Sequence, residues 1–303
     1  MASVSAASPT TGAPRAHDAS LRARLGRAAP YILLTPGILW LLIFFILPTV
    51  WMLLISLSSG DIESGFRLTF DTAAYAKALS EFTPQFVNSL TYGSIATISC
   101  FLIGFPVAYT IAFRGGRYKN LILFMVIAPF FTSFLIRTLS WKILLGDNGP
   151  LLSVIKSLGI VSPDFSVLPS AFSVVAGLTY NFLPFMILPL YVSLEKIDIR
   201  LIEASHDLYA GHWGAFRHVT LPLALPGVFA GTLLTFIPAL GDYVNADLLG
   251  TTTTRMIGNV IQSQFFLIGN YQIPAALSFI LMSAILVAVF VYARVLGTEE
   301  LTG

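Results

Sequence analysis

Six stretches of this chain contain no Asp, Glu, Lys or Arg: residues 28–60, 82–113, 120–136, 165–194, 219–241 and 256–293. Each can hold the roughly 17 to 25 apolar residues that one transmembrane helix needs. Hydrocarbon offers no partner to a free backbone group, so such stretches fold as helices with their hydrogen bonds closed internally. The composition agrees, with 56% hydrophobic and only 11% charged residues, against roughly 25% charged for a soluble domain. The last stretch is too long for one span, and its first half, MIGNVIQSQFFLIGNYQI, is dotted with Asn and Gln. That half reads as an interfacial or re-entrant segment. The spacing therefore predicts an all-α membrane protein with six transmembrane helices near 31–56, 87–113, 120–141, 169–193, 221–241 and 274–294.

Orientation follows from the basic residues, which cytoplasmic loops retain. Arg15, Arg22, Arg24 and Arg27 precede the first span, Arg114, Arg117 and Lys119 follow the second, and Lys196, Arg200 and Arg217 follow the fourth. Both termini are thus expected in the cytoplasm. Residues 1–28, rich in Ala, Ser, Thr and Pro, suit a disordered cytoplasmic tail. Residues 29–296 form the membrane domain, with a cytoplasmic loop at 195–220, and 297–303 form a short cytoplasmic tail. The first apolar run is far longer than the core of a cleaved signal, so it should remain in the mature protein. The single cysteine, Cys100, lies within the second span, so no disulfide can form inside the chain.

Prolines recur within the spans, among them Pro129, Pro184, Pro189, Pro226 and Pro238. Each removes a backbone donor and tends to kink its helix. Arg137 and Lys142 fall toward the outer end of the third span, where long side chains are expected to snorkel to the headgroups. Asp242 follows directly on the fifth apolar run. A carboxylate at mid-bilayer costs about 2.5 to 3.5 kcal/mol on the insertion scale, so Asp242 lies either at the outer interface or against an aqueous cavity.

Several chemistries are absent from the pattern. None of the five lysines follows a glycine, which excludes the phosphate-cradling GxxxxGK[ST] loop. Neither HExxH nor GxSxG occurs. His206, His212 and His218 are spaced by six, which scatters them around a helix, so no metal site is expected. The middles of the spans carry no ionisable group of the kind that drives ion-coupled carriers, so an external energy source is expected.

The stretch EASHDLYAGHWGAFRHVTLPLALPG, 203–227, stands apart as a polar passage between two spans. Asp198 is a good N-cap for the run IRLIEASHDL. Trp213 and Phe216 share a face of the next run, and Pro222 stands where the fifth span begins. A compact helix-turn-helix with apolar groups turned toward the cytoplasm results. Its amphipathic surface suits either the membrane plane or a partner's groove.

This stretch resembles the EAA loop of ATP-binding-cassette importer permeases. Glu203, Ala204 and Ser205 match its EAA, Val219 its aliphatic position and Leu221-Pro222 its LP. The family's turn glycine is Tyr209 here, with Gly211 two residues later, so either the turn has moved toward Gly211 or the loop geometry differs. NFLPFMILPLYVSLEKID, FIPALGDYVNADLLG, MIGNVIQSQF and LLGDNGPL are similar to the spermidine/putrescine importers, specifically the first of their two permease subunits, over residues 31–296.

The resemblance implies a type I importer permease fold in the bacterial inner membrane. It implies a second homologous permease, two ATPase subunits that bind ATP and Mg²⁺, an extracytoplasmic binding protein and surrounding lipid, with no nucleic acid partner and no cofactor in this chain. Glu203, Ala204, Ser205, Leu208, Tyr209, Gly211, Trp213 and Phe216 become the expected ATPase-coupling residues. Packing against the chain's own helices is the alternative role of the aromatics. For a polyamine path, carboxylates, amide oxygens and aromatic faces are wanted, which points to Asp242, Tyr243, Tyr180, Asn181 and Trp141. Another small solute, or an ion-coupled carrier, remains the alternative function.

Overall fold

The computed structural model describes residues 33–61 and 65–296, with the side chains of 295 and 296 excepted. Both expected tails therefore lie outside the described residues. The chain divides into two units, residues 1–54 and 55–303. The described part of the first is most of helix α1, Leu33–Ser56, whose most apolar window averages a hydropathy of 2.7 and has no residue buried within the chain. Its turns widen at Leu42–Ile46, where Leu47 N–H bonds the Leu42 carbonyl. Pro48 follows directly; it has no N–H to give, and its ring would strike the carbonyl four residues back. The wide turn accommodates that break in the ladder.

In the second unit a two-stranded ladder, β1 (Ser58–Ser59) with β2 (Arg67–Leu68), precedes α2 (Ala73–Glu81) and α3 (Thr83–Arg114). Helix α7 (Ala171–Glu195) and the continuous helix α9 (His212–Leu240) pack with α3 to form the core. Ala96, Cys100, Ala108, Leu178, Met186, Leu190 and Ala224 are fully buried there. Between lipid-facing helices no water is released by association, so close backbone approach supplies the attraction. Gly227 and Gly231 on α9 provide it: a Cβ on Gly227 would lie 2.7 Å from the Pro189 carbonyl oxygen, and one on Gly231 2.8 Å from Met186 Sδ. Ser170 and Ser173 close a capping box at the start of α7.

The third span, expected near 120–141 with a proline kink, is broken outright. Helix α4 (Lys119–Ile127) tightens into a 3₁₀ turn at Ala128–Phe131, and α5 (Phe134–Leu145) starts anew. The two halves, Gly116–Phe131 and Phe134–Ser157, meet at 94°. Pro129 cannot donate a backbone hydrogen bond, and the next two residues after the tight turn, Thr132 and Ser133, are extended. Twelve residues of α5 reach only about 18 Å. Among the described residues six membrane segments thus result, five continuous and one broken.

Arg137 is a second correction: it does not snorkel but is buried, 9% exposed, on α5. Lys142, further along the helix, is exposed. After α5, an exposed turn at Asp147-Asn148 leads into α6 (Pro150–Ser157). The loop helix α8 (Ile199–Asp207) precedes α9. Beyond α9 come α10 (Val244–Leu249), the short apolar helix α11 (Ile257–Ile268) and α12 (Gln272–Leu296). Ile257, Gly258, Asn259 and Val260 are buried, whereas Phe266 and Leu267 are exposed, so the segment expected to be interfacial or re-entrant is a short, half-buried helix. Helix α12 begins two residues before Pro274.

Candidate coupling loop and buried polar site

The polar loop is fixed at both ends. At its base Lys119 Nζ donates to Glu195, and the ammonium lies 5.2 Å over the Tyr191 ring. Asp198 Oδ1 accepts from Arg200 N–H at 3.0 Å, which starts α8 at the expected N-cap. At the other end of α8, Tyr209 N–H bonds the His206 carbonyl at 2.9 Å and Ala210 N–H bonds the Ser205 carbonyl at 3.0 Å. These are the two bonds of a Schellman turn, whose C′ residue must be left-handed. Tyr209 occupies that position with φ 62°. The turn has not moved to Gly211, whose φ is −64° and which opens α9. The family's glycine position is therefore kept and filled by a tyrosine, at a cost of about 1–2 kcal/mol in backbone strain.

That turn sets what the loop presents. Leu208, Tyr209 and Trp213 are 83%, 98% and 71% exposed. Glu203 and Ala204 are exposed as well, and Glu203 makes no ion pair with another described residue. Ser205 is half-buried and donates to the Ile202 carbonyl. Phe216 differs from the other aromatics. It stacks with Trp213 at 5.3 Å and meets Phe105 of α3 edge-on at 5.4 Å, so the chain's own core holds it. The turn also places the His206 and His212 rings 5.1 Å apart, which spacing along one uninterrupted helix would not do. His218 instead bonds the Gly214 carbonyl. Among the described residues no group of three or more His, Cys, Asp or Glu is arranged to hold a metal ion.

The second site lies where α5, α7 and α10 meet. Asn181 Nδ2 donates to Thr138 Oγ1 at 3.2 Å and to Asn245 Oδ1 at 3.1 Å, and Thr138 Oγ1 donates to Asn245 Oδ1 at 3.3 Å. Asp242, 7% exposed, accepts from Asn245 twice, from its backbone N–H at 2.8 Å and from Nδ2 at 3.1 Å. Asp242 is thus buried, with its carboxylate held by Asn245 at the start of α10. Trp141 and Tyr180 touch edge to face at 5.3 Å beside this network, and Tyr243 is exposed. Of the five expected path residues, Asp242 and Asn181 share one network, Trp141 and Tyr180 form a pair, and Tyr243 stands outside both. Thr138 and Asn245 escaped the sequence reading, which places Arg137 at the headgroups. For Asn245 a signal existed: an Asp three positions ahead is the spacing at which its carboxylate accepts a backbone N–H of a starting helix.

Comparison with known proteins accords with this architecture. Residues 101–297 match the family model described as binding-protein-dependent transport system inner membrane component. The Spermidine/putrescine transport system permease protein PotB of Haemophilus influenzae is 39% identical, over 84% of this chain and 90% of that protein. The Inner membrane ABC transporter permease protein YdcU of Escherichia coli is 32% identical, over 92% of this chain and 96% of the relative. Among solved structures, a bacterial alginate ABC transporter in complex with an alginate-bound periplasmic protein superposes with a TM-score of 0.72 at 19% identity, over 89% of this chain and 95% of that one. These relatives are transport permeases and not enzymes. With its six membrane segments, the chain belongs to the binding-protein-dependent transport system inner membrane components, as a multi-pass permease subunit of an ATP-binding-cassette importer.

Proposed function

We propose that this permease carries spermidine, putrescine or a closely similar organic cation, and that residues 195–220 couple it to ATPase subunits. The observation that carries the coupling reading is the loop tip. Leu208, Tyr209 and Trp213 project apolar surface that no described part of the chain covers, and large exposed apolar groups on a short helical hairpin fit a partner's groove. Glu203 is the acid that meets a basic group on the ATPase. Ala204, Ser205 and Gly211 shape the hairpin, and Phe216 anchors it to α3.

The complete importer comprises this chain, a second homologous permease, two ATPase subunits that bind ATP and Mg²⁺, and an extracytoplasmic binding protein that delivers the cargo. Both termini face the cytoplasm, as the basic loops require. No nucleotide chemistry takes place in this chain. ATP-driven closure of the ATPases shifts the loop, and the loop shifts the helices it joins, so that access alternates.

The names of the relatives support the cargo, and so does the chemistry of the buried site. A carboxylate at Asp242 with the amide of Asn181, and the faces of the Trp141–Tyr180 pair, supply what an ammonium seeks; exposed Tyr243 would meet the cargo outside that site. The test is uptake of labelled spermidine and putrescine by cells lacking this chain, with wild type or Glu203→Ala re-expressed. Wild type restores ATP-dependent uptake, and Glu203→Ala inserts normally but fails to restore it. Normal transport by that variant refutes the role of Glu203, and no restoration by wild type refutes the cargo.

A further inference from the structure

Lys119 and Glu195 lie 76 positions apart in the chain, and Lys119 Nζ donates to Glu195 Oε1. Lys119 is the first residue of α4 and Glu195 the last of α7. A helix disfavours a cation at its N-terminus and an anion at its C-terminus, so each charge has the wrong sign for its own helix. Helix α4 has no acid in its first turn and no side-chain cap to offset this. What the two signs do favour is a tie between the elements. Tyr191, one turn before Glu195 and 8% exposed, gives the ammonium a second partner on α7, its ring face at 5.2 Å.

The tie stands at the root of the coupling loop. Gly115 and Gly116 join α3 to α4, and Gly116 has φ 46°, so the backbone there is permissive. No residue of α4 is fully buried, and its Ile122, Leu123 and Val126 lean half-covered on the core. Glu195 is the residue from which the loop leaves its membrane helix. Phe216 fixes the loop's other leg to α3 through Phe105. On the near leg, the nine residues of α8 span about 13 Å, so a tilt of about 10° at the root displaces the far end by about 2 Å. A binding constellation tolerates only about 0.5 Å.

We propose that Lys119 is a positioning residue for the ATPase contact. By holding Glu195 and lying over Tyr191 it fixes the direction in which the loop leaves α7, and so where Leu208, Tyr209 and Trp213 stand. The pair is partly exposed, with side chains 26% and 44% accessible, and such pairs add little to stability. Its removal therefore shows in docking and not in folding. This inference rests on the reading of residues 195–220 as the coupling loop.

The test titrates purified ATPase subunits onto the permease, purified with its homologous partner in detergent, and records thermal unfolding of the same samples. Low salt keeps screening from hiding the pair. Lys119→Glu and Glu195→Lys each set like charges together and weaken docking about tenfold, the size of one contact's coupling energy, with the unfolding temperature unchanged. Lys119→Met, which removes the charge without repulsion, reads the same loss if a reversal does not assemble. The double variant, Lys119→Glu with Glu195→Lys, restores opposite charges and recovers docking to within about threefold of wild type. A pair that merely stabilises the fold would lower the unfolding temperature and leave the affinity of the folded permease unchanged, which overturns the proposal. A double variant that docks no better than the single ones overturns it too. Trp213→Ala tests the underlying loop reading in the same titration. If Trp213→Ala docks like wild type, that reading falls and the proposal with it. If Trp213→Ala weakens docking while the Lys119 and Glu195 variants do not, the proposal alone falls.

Discussion

Tyr209 separates two effects that a loop residue usually confounds. Its φ of 62° is strained for any residue with a Cβ, whereas its ring, 98% exposed, touches almost nothing in the chain. Tyr209→Ala keeps the Cβ and removes the ring, so stability should stay within about 0.5 kcal/mol of wild type. Tyr209→Gly also removes the Cβ and releases about 1–2 kcal/mol of left-handed strain. Against this, glycine gives the unfolded chain about 0.4–1 kcal/mol of extra freedom. The glycine variant should therefore be more stable than the alanine variant by about 0.8 kcal/mol, the difference between the midpoints of those two ranges.

Docking should respond to the ring and not to the backbone. If the tyrosine is a buried anchor at the ATPase surface, both variants lose about 2 kcal/mol of association or more, roughly a thirtyfold weaker complex. Thermal unfolding in detergent and titration of the purified ATPase subunits onto the permease measure the two quantities on the same samples. Two results would refute the reasoning. A glycine variant less stable than the alanine variant would mean that the Schellman turn does not hold Tyr209 left-handed. A glycine variant that docks like wild type while alanine does not would mean that the turn, and not the ring, is what the partner reads.

Other substitutions probe the packing around the buried site. A Cβ at position 258 would lie 2.4 Å from the Gly241 carbonyl oxygen, so Gly258→Ala should lower stability by about 1–3 kcal/mol, seen as a lower unfolding temperature in detergent. Asn181→Leu leaves Thr138 and Asn245 to share one hydrogen bond and should destabilise by about 1–3 kcal/mol in the same assay. Asn245→Leu keeps the backbone N–H that bonds Asp242 but removes both the Nδ2 donor to that carboxylate and the amide oxygen that accepts from Thr138 and Asn181, and should cost more, about 3 kcal/mol or above. If Asn245→Leu proves the milder of the two, Asp242 does not depend on Asn245 for its charge.

The sequence announces most of this architecture because uncharged length is a coarse signal that hydrocarbon enforces. Five continuous spans and the start of α8 at Asp198 are legible for that reason. The broken span is not, since NLILFMVIAPFFTSFLIRTLSWKILL is apolar on both sides of the break and hydropathy cannot see a direction change. Only Pro129 and the polar pair Thr132-Ser133 mark the place, and proline alone does not distinguish a break from a kink: Pro184 and Pro189 sit inside one continuous α7. Arg137 misled for a related reason. On a straight helix it would approach the headgroups, but a right-angled turn carries it back into the protein. The histidines fail likewise, because the angular argument assumes one helix where Tyr209 starts a turn.

The LP of the loop motif acquires a physical meaning from α9. Pro222 lacks an N–H and would collide with the carbonyl of His218 in a regular helix. The turns widen at Phe216–Thr220, with Leu221 N–H bonding the Phe216 carbonyl, as they do before Leu47-Pro48 in α1. The helix is thereby not broken at the membrane surface but runs unbroken from His212 to Leu240, 29 residues, or about 43 Å. Trp213 lies at one end of this rod and Asp242 two residues beyond the other. Under the proposed coupling, a displacement imposed on the exposed tip would reach the carboxylate along this helix, whose Gly227 and Gly231 lie close against α7. The same proposal gives a role to the Phe216 contact with Phe105 of α3: an unanchored tip would bend at the wide turn, whereas a braced one would pass motion to the rod.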